Sequence, residues 1–276
     1  MDATGRELSE GKMSHFMKAN YHTHTIRCKH AENSERDYIE AAISMGLEIL
    51  GFSDHIPCPF ADGYVSTIRM DMEQADEYVR TIRALAREYE GKISLLVGFE
   101  AEYIPEFFEA QMEMLHRVHA DYLIMGQHFL VREPDAVYTG VPTESEEFLK
   151  GYVDSIIAGM ETGAFLYLAH PDLIHFEGSE AVYEREMTRL CEALYDLRIP
   201  LEINLLGLMQ QRHYPAERFW RIPGRIGNRV VLGADAHKSS QICAQDAYDK
   251  AMKMAEKYGL RVEEKLELPQ NHKRLP

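Results

Sequence analysis

Ser94-Leu-Leu-Val-Gly-Phe-Glu100 is apolar or small from Leu95 through Phe99 and then closes on a carboxylate. A strand that does not alternate has both faces covered, the condition of a parallel sheet under helices. Working outward, the same reading applies at 122–126 (Leu123, Ile124, Met125) and 230–234 (Val230, Val231, Leu232), and shorter runs stand at 20–23, 49–53, 165–169 and 201–204. With 94–99 these make seven predicted strands. Between them apolar residues recur three and four apart, as Met72, Ala75, Tyr78, Val79, Ile82 and Leu85 do. That spacing predicts helices over 34–45 with Ser34 as N-cap, 71–89, 106–119, 144–160, 180–197, 216–226 and 240–258. Strand alternating with helix is the pattern of βαβ units and an α/β fold, and a barrel and a doubly wound sheet both fit it. No internal repeat, low-complexity tract or linker divides the chain, so one domain is expected over 20–276, behind a short flexible leader at 1–19.

Seven histidines and two carboxylates stand at or just after these strand ends, where α/β barrels place their chemistry. His22 and His24 flank Thr23, and residues separated by one share a face of a strand. His30 follows in the next loop, the second run leads to His55, and the third ends at Glu100. The fourth leads to His128, the fifth to His170, and the seventh to Asp235 and His237, whereas the sixth ends on the neutral Asn204. Imidazole is the commonest protein metal ligand, and Zn, Mn or Fe accept a mixed imidazole and carboxylate set. Nine ligands exceed what one tetrahedral ion takes, which predicts two or three divalent ions. The other six of the 13 histidines (His15, His116, His119, His175, His213 and His272) fall on helices and loops and are read as ordinary side chains.

Composition removes several classes of function. The 276 residues are 45% hydrophobic and 27% charged, as in an ordinary globular protein. No apolar run approaches the ~18 residues of a membrane span, and the first twenty residues hold no apolar core of a secretion signal. Cys28, Cys58, Cys191 and Cys243 form no CxxC pair, which fits a reducing compartment and a cytoplasmic address. Acidic residues outnumber basic ones by 45 to 30, and the net charge of −15 repels polyanions, so nucleic acid is disfavoured as a partner. Bound cations reverse the sign locally, which leaves a small anionic substrate open.

In order along the chain stand Tyr21-His-Thr-His-Thr with Cys28-Lys-His-Ala, Gly51-Phe-Ser-Asp-His, Gly98-Phe-Glu-Ala-Glu, Gly126-Gln-His-Phe, Ala169-His-Pro-Asp, Leu201-Glu-Ile-Asn and Gly233-Ala-Asp-Ala-His. The set resembles the polymerase-and-histidinol-phosphatase (PHP) family, and within it the histidinol-phosphate phosphatases. The resemblance implies a distorted (β/α)7 barrel with a trinuclear metal centre at the strand ends. By matching motif it assigns His22, His24, Glu100 and Asp235 to one ion, His30, His55 and His237 to a second, and Glu100, His128 and His170 to a third, with Glu100 as the bridge. One departure stands after Asn204. The family commonly has a small polar residue and then Gly-Leu followed by Arg or Lys, whereas here the chain reads Leu205-Leu-Gly-Leu-Met-Gln-Gln-Arg212-His-Tyr-Pro215, with the basic residue displaced.

A multinuclear site suits a phosphate monoester, because it neutralises the dianion and lowers the pKa of bound water toward ~7. The expected catalytic groups are Glu100, Asp235 and His237. Guanidinium forks fit the remaining phosphate oxygens, so Arg132 and Arg212 are the first expected substrate contacts, with Lys238 and Arg27, which flank ligands, next. Asp54 and Glu102, beside ligands, are candidates to orient imidazoles. The expected substrate is a small-molecule phosphate ester, histidinol phosphate first. Three rivals stand beside this reading: a metal-dependent amidohydrolase, which usually has a bridging group on its fourth strand and no histidine after the first loop; a nuclease; and a non-catalytic metal store.

Overall fold

The computed structural model describes residues 16–268. Its strands are β1 (Ala19–Asn20), β2 (Ile49–His55), β3 (Ser94–Ala101), β4 (Tyr122–Met125), β5 (Leu201–Asn204), β6 (Arg229–Gly233) and β7 (Arg261–Val262). They form two parallel sheets, β1-β2-β3-β4 and β5-β6-β7. Single bridges join the sheets into a ring. Leu168 pairs with Met125 of β4 on one side and with Leu201 of β5 on the other, and Thr23 beyond β1 pairs with Ala236 beyond β6. The architecture is therefore the distorted seven-stave α/β barrel, and the doubly wound sheet is eliminated.

The run at 165–169, expected as a strand, holds its place in the ring without forming one, because it pairs on each side only through a single bridge at Leu168 and not through a continuous ladder. Leu166 and Ala169 donate to Leu123 and Met125, both at 2.7 Å, while Leu168 accepts from Glu202 at 2.9 Å. β7, which was not expected, is a two-residue addition to β6.

Helices cover the outside: α1 (Glu35–Ser44), α2 (Ala75–Glu88), α3 (Pro105–Val118), α4 (Glu146–Glu161), α5 (Glu180–Asp196), α6 (Leu205–Gln210), α7 (Glu217–Ile226) and α8 (Gln245–Tyr258). Ser34 caps α1 and closes a capping box with Asp37, which satisfies amides the first turn leaves bare. The stripe Tyr78, Val79, Ile82 and Leu85 of α2 is buried, each such side chain contributing ~1.5–3 kcal/mol. The helices expected over 71–89 and 240–258 open with 3-10 turns, Met72–Gln74 and Ser239–Cys243. Helix α6 was not expected, since six residues are too few for a helical period to show.

The leader boundary at 19 needs correction: Phe16 and Met17 are buried in the main core, and Ala19 already belongs to β1. Residues 1–15 of that leader lie outside the described residues. Among the described residues no helix is long and apolar enough to cross a membrane. The register of the sheet sets up the site, because β2 and β3 pair so that His55 stands opposite Glu100.

Candidate metal centre

All nine residues predicted as ligands meet at the C-terminal ends of the staves, and Glu100 is at their centre. Its Oε1 lies 2.9 Å from His170 Nε2, 3.4 Å from His22 Nε2 and 3.5 Å from His128 Nε2. Its Oε2 lies 3.1 Å from His55 Nδ1 and 3.4 Å from His24 Nε2. Asp235 Oδ1 is 3.3 Å from His24 Nε2 and 3.5 Å from both His22 Nε2 and His237 Nδ1. His30 stacks on His237 with ring centroids 4.7 Å apart. Ligand atoms of His22, His24 and Asp235, of His22, Glu100 and His170, and of His24, His55 and His237 lie within 4.8 Å of one another. The grouping departs from the expected partition: His22 stands with Glu100 and His170, His24 with His55 and His237, and His30 reaches His237 in a group that includes Cys28.

Local backbone geometry explains the convergence. Thr25 caps the 3-10 turn Ile26–Cys28, Lys29 turns left-handed at φ 67°, and His30 Nδ1 settles 2.6 Å from the Cys28 carbonyl oxygen. His170 and Asp235 also have positive φ, 30° and 47°. Such strain costs of order 1–3 kcal/mol per residue and persists where the surroundings over-determine it, typically at functional sites. Gly126 is required by close approach, since a Cβ there would lie 1.9 Å from Glu100 Oε1.

The donor set fits bound cations. His22 Nε2, both ring nitrogens of His24, Glu100 Oε2, His170 Nδ1 and His237 Nε2 are buried without a hydrogen-bond partner. Leaving such an atom unsatisfied costs ~1–3 kcal/mol, so their concentration within one cluster of side chains calls for a ligand. Charge points the same way. Burial opposes ionisation of Glu100 and Asp235, yet the neighbouring imidazoles hold both carboxyls well below the usual range. Burial, and then the charge of His24, push His55 down to about 4, and burial likewise lowers His30 and His237, keeping these imidazoles neutral. Against the pull of burial, Asp235, Asp54 and Glu100 push His24 up to about 9. A cation on these atoms displaces that proton.

A second layer orients the ring nitrogens. Glu202 Oε2 is 2.8 Å from His22 Nδ1, and Asn204 Nδ2 donates to Glu202 Oε1 at 2.8 Å and to Asp235 Oδ2 at 3.1 Å. Gly233 leaves room for this carboxylate, for a Cβ there would lie 2.1 Å from Glu202 Oε2. Glu102 Oε1 lies 3.1 Å from His128 Nδ1, and Asp54 lies 3.6 Å from His24 Nδ1 while accepting from the Thr25 amide at 3.2 Å. Asp54 and Glu102 thus stand where the sequence suggested, whereas Glu202 was missed. Its signal was a charged residue between two strand apolars, Leu201 and Ile203. Carboxylate partners of ligating histidines typically matter 10–100-fold in metal affinity. Glu202→Gln is expected to weaken ion binding about tenfold, at the low end because an amide oxygen can still accept from His22. Calorimetric titration with Zn2+ checks it, and an unchanged affinity would assign Glu202 to packing alone.

Beside the cluster opens a cavity of about 460 Å3, in the range of small-molecule sites. Its lining includes, besides residues of the cluster, Ile68, Phe129, Tyr138, Arg212, Tyr214 and Lys238. Of the expected phosphate contacts, Arg212 and Lys238 face the cavity; Arg132 does not line it, being paired with Asp62 and with Glu106 at 3.7 Å. Lys238 is tied to Glu32 at 2.9 Å, and Arg27 to Glu35 and, at 3.0 Å, to Glu77. Arg212 donates to Gln210 Oε1 and the Tyr214 hydroxyl and, among the described residues, makes no ion pair within 4 Å. The histidines read as ordinary stay apart from the cluster: His116 and His119 are at the end of α3, and His175 stacks on His213 at 4.1 Å. His15 and His272 lie outside the described residues.

Fold and site together define a class of protein, an α/β barrel whose strand ends carry an imidazole and carboxylate cluster fitted to more than one divalent ion. The chain belongs to the PHP family: the PHP domain model matches residues 20–205, more than half of its length. It is 28% identical over 230 residues to a probable histidinol-phosphatase of Deinococcus radiodurans, covering 80% of this chain and 86% of that one. It is 25% identical over 260 residues to the histidinol-phosphatase of Bacillus subtilis, covering 82% and 96%. Its fold matches that of the histidinol phosphate phosphatase of Lactococcus lactis, solved with Zn, L-histidinol and phosphate, at a TM-score of 0.68 and 20% identity over 91% of this chain and 99% of that one.

Proposed function

We propose that the protein is a metal-dependent phosphoric monoester hydrolase whose substrate is L-histidinol phosphate, converted with water to L-histidinol and phosphate. The observation that carries the reaction class is the cluster of unpartnered, buried ring nitrogens with Glu100 Oε2 beside a cavity whose wall presents Arg212, a cation without a carboxylate partner among the described residues. The substrate follows from the named activity of the relatives in Deinococcus radiodurans and Bacillus subtilis. Two to three ions of Zn, Mn or Fe, held by His22, His24, His30, His55, Glu100, His128, His170, Asp235 and His237, would neutralise the phosphate dianion and acidify water toward neutral pH.

The chain's own side chains do the rest. Arg212, with Lys238 also on the cavity lining, engages phosphate oxygens that face away from the cluster. Asp235 turns one oxygen to the histidines while Asn204 holds the other, which fixes the direction from which it accepts a hydrogen bond from the attacking water. Glu100 and His237 complete the reactive floor, and Phe129 and Tyr138 wall off the organic part of the ester. Glu100 on β3 and His30 beyond the first strand both belong to the cluster, a pattern that favours this reading over the amidohydrolase. The net charge of −15 weighs against a nuclease. Four free cysteines suit a reducing, cytoplasmic setting.

Freshly purified protein is expected to hold two to three transition-metal ions per chain and to release phosphate from histidinol phosphate faster than from other monoesters in a panel. Less than one ion by elemental analysis, with no gain on reconstitution, sinks the metal reading. Degradation of single-stranded DNA faster than any small monoester reverses the choice of substrate class.

A further inference from the structure

The 57–71 segment leads from β2 to the 3-10 turn before α2 without regular structure, and no motif marks it. Within it Arg69 is 1% exposed, which is exceptional for a residue that is always charged. All three guanidinium nitrogens donate: Nη1 and Nη2 to the two oxygens of Glu102 at 3.1 and 3.3 Å, Nε to Glu133 Oε2 at 2.8 Å, and Nη1 also to the Ile56 carbonyl at 3.0 Å. Each partner leads to the metal centre. Glu102 holds His128 Nδ1, whose Nε2 faces Glu100, and Ile56 directly follows His55. Glu133 stands in the loop that carries Phe129 and Tyr138, and it also accepts from Ser66 at 3.1 Å, which ties that loop to the 57–71 segment whose Ile68 lines the cavity.

We propose that Arg69 is a positioning residue of the metal centre: it clamps Glu102 so that His128 keeps its Nε2 aimed at Glu100, and it locks the two loops that wall the cavity. Stability alone does not account for it. Burying three charges carries a desolvation cost, and well-packed apolar side chains of similar volume are often as stable. What an apolar set cannot do is hold the Nδ1 proton of His128 on a fixed acceptor, and that hydrogen bond decides which ring nitrogen is left for an ion. The inference rests on the ion-binding reading above and adds a residue to it.

The test uses the full chain, stripped of metal and titrated calorimetrically with Zn2+, for wild type, Arg69→Met, Arg69→Lys, Glu102→Gln and the double variant Arg69→Met with Glu102→Gln. A thermal melt of each with saturating Zn2+ reads stability separately. Arg69→Met and Glu102→Gln should each weaken the most weakly held ion about tenfold. The double variant should be no weaker than the worse single one, because both changes break the same link. Arg69→Lys, which keeps the charge and loses the fork, should be weakened as well. A lowered melt with wild-type ion affinity in Arg69→Met, or additive losses in the double variant, overturns the proposal. Where Arg69→Met does not fold, Arg69→Lys decides: weakened binding supports the clamp and wild-type binding removes it. Wild-type protein that binds no Zn2+ overturns the metal reading itself, a result distinct from all of these.

Discussion

Glu100→Gln is expected to leave a folded protein that retains less than one ion per chain and releases phosphate about a thousandfold more slowly. The carboxylate is 1% exposed and lies within 3.5 Å of ring nitrogens from His22, His24, His55, His128 and His170. An amide of the same shape keeps one acceptor oxygen and turns a donor NH2 toward nitrogens that themselves need an acceptor or an ion. Removing one partner from a buried charge set costs ~3–5 kcal/mol, and at about 1.4 kcal/mol per decade that is two to four decades in binding or rate. The site has no slack to absorb the change, since Gly126 already lies too close to Glu100 Oε1 for a Cβ. Elemental analysis and phosphate release, measured on one preparation, should fall together. Full metal and full rate would mean that another residue joins the ion positions.

The contrast between Glu100 and Glu202 shows what was legible in the sequence. Glu100 closes an apolar run, and its place among five other strand ends rich in histidine made the parallel α/β arrangement and the ligand set readable, because a parallel sheet brings all C-terminal ends to one face, while the barrel itself came from the family resemblance. Glu202 sits one residue inside its run, and only three-dimensional pairing shows that it faces His22, 180 residues away. The 165–169 stave was located correctly but not its irregularity, which lies in its pairing by single bridges at Leu168 to Met125 and Leu201. Helix α6 escaped because Asn204, read as a neutral strand end, is its cap: the side chain accepts from Gly207 N at 2.9 Å. Arg69 carries no motif, and its partners Glu102 and Glu133 are 33 and 64 residues away.

The same limit applies to the cations, and it gives the last prediction its form. Arg132 and Arg212 look equivalent in one dimension, each a basic residue shortly after a strand end. In the fold Arg132 is drawn to Asp62, 70 residues away, and to Glu106, so its charge is spent on the surface. Arg212 is brought to the cavity by α6, whose C-cap Gln211 turns left-handed at φ 54°, and its partners there are neutral, Gln210 and Tyr214. A guanidinium beside a cavity without a carboxylate to neutralise it is available to a phosphate oxygen. Arg212→Ala is therefore expected to raise KM for histidinol phosphate and to lower kcat/KM by about one to two orders of magnitude, or ~1.4–2.7 kcal/mol of transition-state stabilisation. Metal content should not change, because a cationic side chain cannot be a ligand. Arg132→Ala should keep wild-type kinetics, since breaking a surface ion pair is worth ~0–1 kcal/mol and touches no cavity residue. If the larger loss falls on Arg132, the 128–139 loop must close over the substrate and carry that arginine with it. If neither variant loses activity, the ions and Lys238 hold the phosphate between them, and the displaced arginine after β5 has no part in the reaction.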